Sequence, residues 1–236
     1  MRNLAISKYN PDAVELTGLW TDDDTHLWQV PSGAYIHNNV ISQESFKIEN
    51  VHNEYIYSFN KVQGKPKGVS LAADIAHSID AYVASEMQVR CAYRRIAGIG
   101  RIVEAYRTLE KLGHVPKERV VSPVIIPSLN NYEDIFRHLE LPTRLQDEQY
   151  LKAMGYMLGN LLRTPSFDEV SVFDEFTCLP NFVGHMKQHY INIMAEIADG
   201  ELASQICSTI VGEQVIIDKI SPDLSKEILR GDYAIS

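Results

Sequence analysis

Cysteine is scarce in this chain: Cys91, Cys178 and Cys207 are the three present among 236 residues. An odd number, widely separated and without a C-x-x-C pair, suggests neither a disulfide framework nor a cysteine-rich zinc site, and the three read as core thiols. Long apolar runs are missing as well. None approaches the roughly 20 residues that span a bilayer, and the opening MRNLAISKYNPDAVE lacks the apolar centre of a secretion signal. The expectation is a soluble, cytoplasmic protein with no membrane partner. Repeats, low-complexity tracts and a clear linker are also lacking. The histidines show no metal-ligand spacing; His185 and His189 share a helical face but have no flanking Glu of the zinc-protease kind.

What is present is ordinary globular usage, with 45 % hydrophobic and 22 % charged residues, enough to exclude a disordered tail. The net charge of −9 argues against a nucleic-acid partner for the chain as a whole, because phosphate binding relies on Lys and Arg. The average hides an asymmetry. Between 61 and 119 basic residues outnumber acidic ones, while both flanks are acidic. That segment reads either as a solvated helix surface or as a strip facing phosphates.

The coarse organisation follows from hydrophobic period. The runs 26-HLWQV-30, 34-AYIHNNVIS-42 and 53-NEYIYSFN-60 are rich in aromatic and β-branched residues, and Pro31-Ser32-Gly33 joins the first two, which predicts a hairpin or small meander. From Ser70 the period becomes helical, with Leu71, Ile75, Ile79, Tyr82, Val83 and Met87 predicting one long helix over about 70–97, Ser70 as its N-cap. Further helices are predicted over 101–112, 132–140, 146–162 and 181–198, the last entered through Pro180, with shorter helices and a tail beyond. The stretch 170-VSVFDEFTCLP-180 alternates like a short, half-buried strand. Successive side chains of a strand point to opposite faces, so Asp174 and Glu175 cannot both face water from a packed sheet, and at least one carboxylate reads as placed.

Two centres could carry chemistry: Asp174 with Glu175, and 74-DIAHSID-80, where His77 and Asp80 stand three apart and share a helical face. In chain order these pieces resemble the single-subunit DNA-directed RNA polymerases of phages and mitochondria. The run 28-WQVPSGAYI-36 looks like that family's Trp-x-Thr-Pro-x-Gly-Phe-Pro-Val hairpin, and 71-LAADIAHSIDA-81 is similar to its Ala-Pro-Asn-Phe-(Ile/Val)-His-Ser-x-Asp helix. VFDEFTCLP resembles motif C, and 227-EILRGDYAIS-236 resembles the terminal Ile-Leu-x-Ser-Asp-Phe-Ala-Phe-Ala.

The resemblance implies an α+β fold, the C-terminal part of a right-hand polymerase palm, with short antiparallel strands, several long helices and a helical insertion. Its segments would be 1–99 with the hairpin and the His-containing helix, 100–165 as the inserted subdomain, and 166–236 with the motif C hairpin, following helices and tail. It implies that Asp174 is a ligand of two catalytic Mg²⁺ ions, that His77 contacts the product duplex in the minor groove, and that the tail ending in Ser236 packs near the active site. Glu175, Asp80 and Ser236 are accessory candidates. Arg90, Arg94 and Arg95 would continue the helix towards the nucleic-acid backbone. The reaction implied is nucleotidyl transfer from rNTPs to an RNA 3′-hydroxyl on a DNA template, in the host-cell cytoplasm if the source is viral.

Departures accompany the matches. Phe173 and Glu175 stand where the family has His and Ser, Ala73-Asp74 replaces Pro-Asn, and the interval from His77 to Asp174 is longer than the family's. The DNA polymerase I type, with its Ala-Ala-Asp-Ile helix and Val-His-Asp-Glu motif, fits 71-LAADI-75 and Asp174-Glu175 as well. The family's first catalytic aspartate and its fingers helix have no counterpart. The expectation is therefore a split enzyme, whose second subunit supplies the other aspartate and the fingers and shares the two metal ions; the alternative is a non-catalytic interaction subunit of a polymerase complex.

Overall fold

The computed structural model describes residues 25–39, 41–48, 55–62, 69–95, 98–172, 175–219 and 221–231. Asp174, Phe173, Ser236 and the terminal tail lie outside the described residues. The protein is α+β, with three antiparallel strand pairs and seven α-helices among those residues. The chain divides into two units, one from the described parts of 1–29, 35–77 and 203–220, the other from 30–34, 78–202 and 221–236.

In the first unit β1 (Thr25–Gln29) pairs with β2 (Tyr35–Asn39) from Thr25↔Asn39 to Gln29↔Tyr35, the hairpin expected from the aromatic alternation. His26 and Trp28 are buried while Leu27 and Gln29 are exposed, the period of two that a half-buried strand requires. Between the strands, the Gly33 N–H donates to the Val30 carbonyl at 2.9 Å, and Gly33 takes the left-handed φ of 83° that the turn needs. The third β-like run also forms, as β4 (Tyr55–Val62), paired along its length with β3 (Ile41–Ile48). Two long ladders therefore stand side by side in sequence, each a separate two-stranded sheet. Helix α6 (Leu202–Val211) gives this unit the buried side chains Ile206, Cys207 and Ile210.

Helix α1 runs Val69–Cys91, with Ser70 inside its first turn rather than capping it. Its stretch in the second unit buries Tyr82, Val83, Glu86, Met87, Arg90 and Cys91. A 3-10 turn, Tyr93–Arg95, follows, then α2 (Ile99–Lys111), α3 (Asp134–Glu140) and α4 (Glu148–Arg163). The Asp147 carboxylate caps α4 by accepting from the Tyr150 N–H at 3.0 Å. Leu151, Met154, Leu158 and Leu161 form the buried stripe of α4, packed with Ile102 and Leu109 of α2 and with Tyr93. Tyr93 shares one core with Ile102, Leu109, Leu129, Ile135 and the buried stripe of α4.

The Cys91 carbonyl accepts from the Phe167 N–H at 2.8 Å and from the Ser166 hydroxyl at 3.2 Å, which ties the chain beyond α4 to the end of α1. Helix α5 (Val183–Asp199), preceded by a 3-10 turn at Pro180–Phe182, packs through Ile191 and Ala195 against Ile228 of α7 (Leu224–Arg230). No helix among the described residues is long and apolar enough to cross a membrane.

Two glycines of α4 make a testable contrast. A Cβ at Gly155 would collide with the backbone carbonyl of His114, whereas one at Gly159 would meet the movable Arg163 guanidinium at 3.2 Å. Gly155→Ala is expected to destabilise the protein by about 1–3 kcal/mol from overpacking, despite the better helix propensity of alanine. Gly159→Ala should be neutral or stabilising, by up to about 1 kcal/mol. Urea midpoints of the two variants check the difference; equal shifts would mean that the His114 segment yields.

Candidate functional site

The stretch VSVFDEFTCLP is not one strand. It folds as β5 (Glu169–Val172) and β6 (Glu175–Cys178), paired antiparallel from Glu169↔Cys178 to Val172↔Glu175. Val170, Ser171, Val172, Glu175 and Thr177 are exposed, so the sheet here is not packed on both faces and Glu175 faces water. The alternation belongs to a ladder with an open face. The register leaves Phe173 and Asp174 as the two residues between the strands in sequence. The hairpin is anchored by the Phe176 ring, 5.8 Å from that of Tyr190 on α5. Glu169, at its other end, escaped the sequence reading. Burial pushes its carboxyl up against a smaller opposing effect of a Ser171 hydrogen bond, and its Oε1 is buried without a partner.

His77 and Asp80 are both exposed on α1, and neither makes a side-chain hydrogen bond or ion pair among the described residues. Neighbouring Asp74 is held, accepting from the Asn38 amide of β2 at 2.6 Å. Arg94 is exposed, its guanidinium 5.9 Å from the Tyr93 ring centre, and Arg95 pairs with Asp168 at 2.6 Å. Arg90, expected to continue the helix towards a nucleic-acid backbone, is instead buried. Its Nε donates to Glu86 Oε1 at 2.8 Å and its terminal nitrogens to both oxygens of Glu196, at 3.2 and 2.7 Å. Burial works against its charge, but Glu196 and Glu86 outweigh that and hold its pKa above the ordinary arginine value. Among the described residues no three His, Cys, Asp or Glu side chains form a group able to hold a metal ion. Glu175, exposed, is the described carboxylate adjoining Asp174 in sequence, and a two-magnesium site needs several such oxygen ligands.

A second constellation lies within the larger unit. Polar residues of α5 at 185, 188, 189, 192 and 196 recur at helical spacing and face Tyr156, Met157, Asn160 and Leu161 of α4 across a cleft of about 350 Å³. Arg90 and Arg119 lie at its sides, Arg119 paired with Asp199 at 2.5 Å, and Arg163 completes the lining. His185 and His189 share this face as their spacing predicts. His189 is 6 % exposed, and its Nε2 is buried with no hydrogen-bond partner. Burial, then the charges of Arg90 and His185, push its pKa down to about 4.

A histidine whose folded pKa lies below its unfolded value contributes stability when neutral and loses it as pH falls, because the unfolded chain takes up the proton first. The loss runs from about pH 6.5 to 4 and amounts to about 3 kcal/mol. Measured from pH 7 to 4, the stability difference between the wild type and His189→Leu should shrink or reverse by that amount; a constant difference would show that His189 is solvated.

Comparison with protein-family models finds no match to this chain, and comparison with curated proteins finds none either. The fold and the two constellations define an α+β protein with an exposed β-hairpin at 169–178 and a polar interhelical cleft.

Proposed function

We propose that this chain is the motif C subunit of a split polymerase of the single-subunit RNA polymerase type, active together with a second subunit. The observation that carries the reading is the Val172↔Glu175 register, by which the stretch resembling motif C forms a hairpin with Phe173-Asp174 between its strands in sequence and runs through Pro180 into α5. That order, hairpin first and helix next, is what the resemblance expects. Support also comes from the Trp28 hairpin and from the exposure of His77 on a long helix, where an imidazole is open to hydrogen-bond a duplex.

Under this reading Asp174 and a carboxylate of the partner would hold Mg²⁺, which would supply Lewis-acid activation of the RNA 3′-hydroxyl and charge stabilisation for the leaving pyrophosphate. The 3′-oxygen attacks the α-phosphorus of an rNTP on a DNA template. His77 reads duplex shape in the minor groove, where the degenerate pattern of donors and acceptors permits any sequence. Arg94, exposed beyond the end of α1, is available to a phosphate backbone, whereas Arg90 serves the core.

The DNA polymerase I type keeps a foothold in Glu175, which follows Asp174 and is exposed. The experiment is recovery of the tagged full chain from its native or infected cells, followed by templated synthesis with ribo- or deoxyribonucleotides. A co-purifying subunit and Mg²⁺-dependent incorporation of ribonucleotides is the expected result. Deoxyribonucleotide incorporation would move the chain to the other class, and no synthesis with any partner would leave an interaction role.

A further inference from the structure

We propose that the cleft between α4 and α5 is a binding site for a nucleoside monophosphate, separate from the hairpin and independent of the polymerase reading. Its volume of about 350 Å³ lies near the lower end of small-molecule sites and suits one ring system, a sugar and a single phosphate. Its lining mixes polar side chains of both helices with Met157 and Leu161, where facing helices ordinarily meet through apolar stripes alone.

Three features of the lining specify the ligand. First, Asn160 on one wall and Gln188 and Asn192 on the other bring carboxamides, each both donor and acceptor, which match the mixed edge of a nucleobase. Gln188 and Asn192 bond one another at 3.1 Å, while Asn160 has no side-chain partner among the described residues. Met157, also in the lining, adds a polarisable thioether suited to contact with a ring. Second, His189 is more than nine-tenths buried and keeps an orphaned Nε2. Buried polar atoms in folded proteins nearly always have a partner, so this nitrogen, closed off as the imidazole now stands, would gain one when the ring turns towards a ligand in the cleft it lines. Third, the charges are unevenly satisfied. Glu86 and Glu196 hold Arg90, and Asp199 holds Arg119. Arg163, exposed at the C-terminal end of α4, has no ion pair among the described residues, and its planar fork suits a phosphate.

The test is calorimetric titration of the full chain, with its partner if one co-purifies, using AMP, GMP, CMP and UMP, with inorganic phosphate as control. At least one nucleotide should bind saturably while phosphate alone does not. Arg163→Ala, an exposed substitution that leaves the core intact, should weaken that binding by about tenfold or more. Asn160→Leu should also weaken it, and both variants should melt like the wild type. Failure of all four nucleotides to bind overturns the proposal. So does binding that survives both substitutions, and if it is then lost in Asp174→Ala it belongs to the hairpin.

Discussion

Asp174→Ala in the reconstituted complex is expected to lower templated RNA synthesis by on the order of 10³-fold or more, without changing partner binding. A carboxylate that fixes catalytic dications contributes several kcal/mol to the transition state, and each 1.4 kcal/mol or so is a factor of ten in rate. The loss should fall on the chemical step, visible in single-turnover incorporation, with the affinity for template little altered. Glu175→Ala is the informative companion. Glu175 is exposed at the start of β6, directly opposite Val172, and a purely solvated role predicts less than a twofold change. A large loss from Glu175 with none from Asp174 would sink the motif C assignment, because the resemblance places the metal on Asp174.

Glu86→Ala is expected to remove about 3–5 kcal/mol of stability, as other losses of one partner from a buried ion pair do. Glu86 is completely buried, yet every oxygen is occupied. Oε1 accepts from Arg90 Nε at 2.8 Å and from the Leu129 N–H at 2.6 Å; Oε2 accepts from the Ser128 hydroxyl at 2.7 Å and from the Asn130 amide at 3.0 Å. One carboxylate therefore joins α1 to the irregular segment 128–130. Its removal orphans these donors and leaves Arg90 with Glu196 as its remaining carboxylate. Since whole domains are stable by only about 5–15 kcal/mol, the larger unit should be close to unfolding in dilute urea. The pair Glu86→Leu with Arg90→Met should be less damaging than Glu86→Ala alone, because no arginine is left short of a carboxylate and Glu196, with only Arg119 as a nearby cation, takes up a proton more readily. Equal urea midpoints for the single and double variants would show that water enters the network.

The contrast between these two sites explains what the sequence disclosed. The Trp28 hairpin was legible because its alternation, aromatic content and Pro-x-Gly turn agree, and the helices at 101–112 and 146–162 because an apolar period of 3.6 repeats over several turns. The alternation over 170–180 reads as one strand, and a hairpin there is implied by the resemblance alone, because side-chain alternation does not reveal where a chain reverses and no glycine stands between Val172 and Glu175. Arg90 looked like surface because arginine usually is. Its neighbour Glu86 stands four residues earlier, a visible helical pair, but Glu196 lies 106 residues away and no local pattern announces it. The cleft has the same history: the spacing of His185 and His189 was apparent, but the facing residues of α4 become its wall only once the chain is folded.

The thiols first read as inert core residues have a practical consequence. Cys91 is sealed inside the larger unit and Cys207 inside the smaller. Burial, then the charges of Glu169 and Cys178, push the Cys91 thiol up to about 12, and burial pushes Cys207 up as well. At neutral pH both thiols therefore stay protonated in the folded chain, whereas an alkylating reagent attacks the thiolate. With half-buried Cys178 replaced by serine, reagent uptake at each remaining sulfur would time the opening of the unit around it. The two halves of the molecule thus each carry a natural clock, and comparing the rates would tell whether they come apart together or in turn.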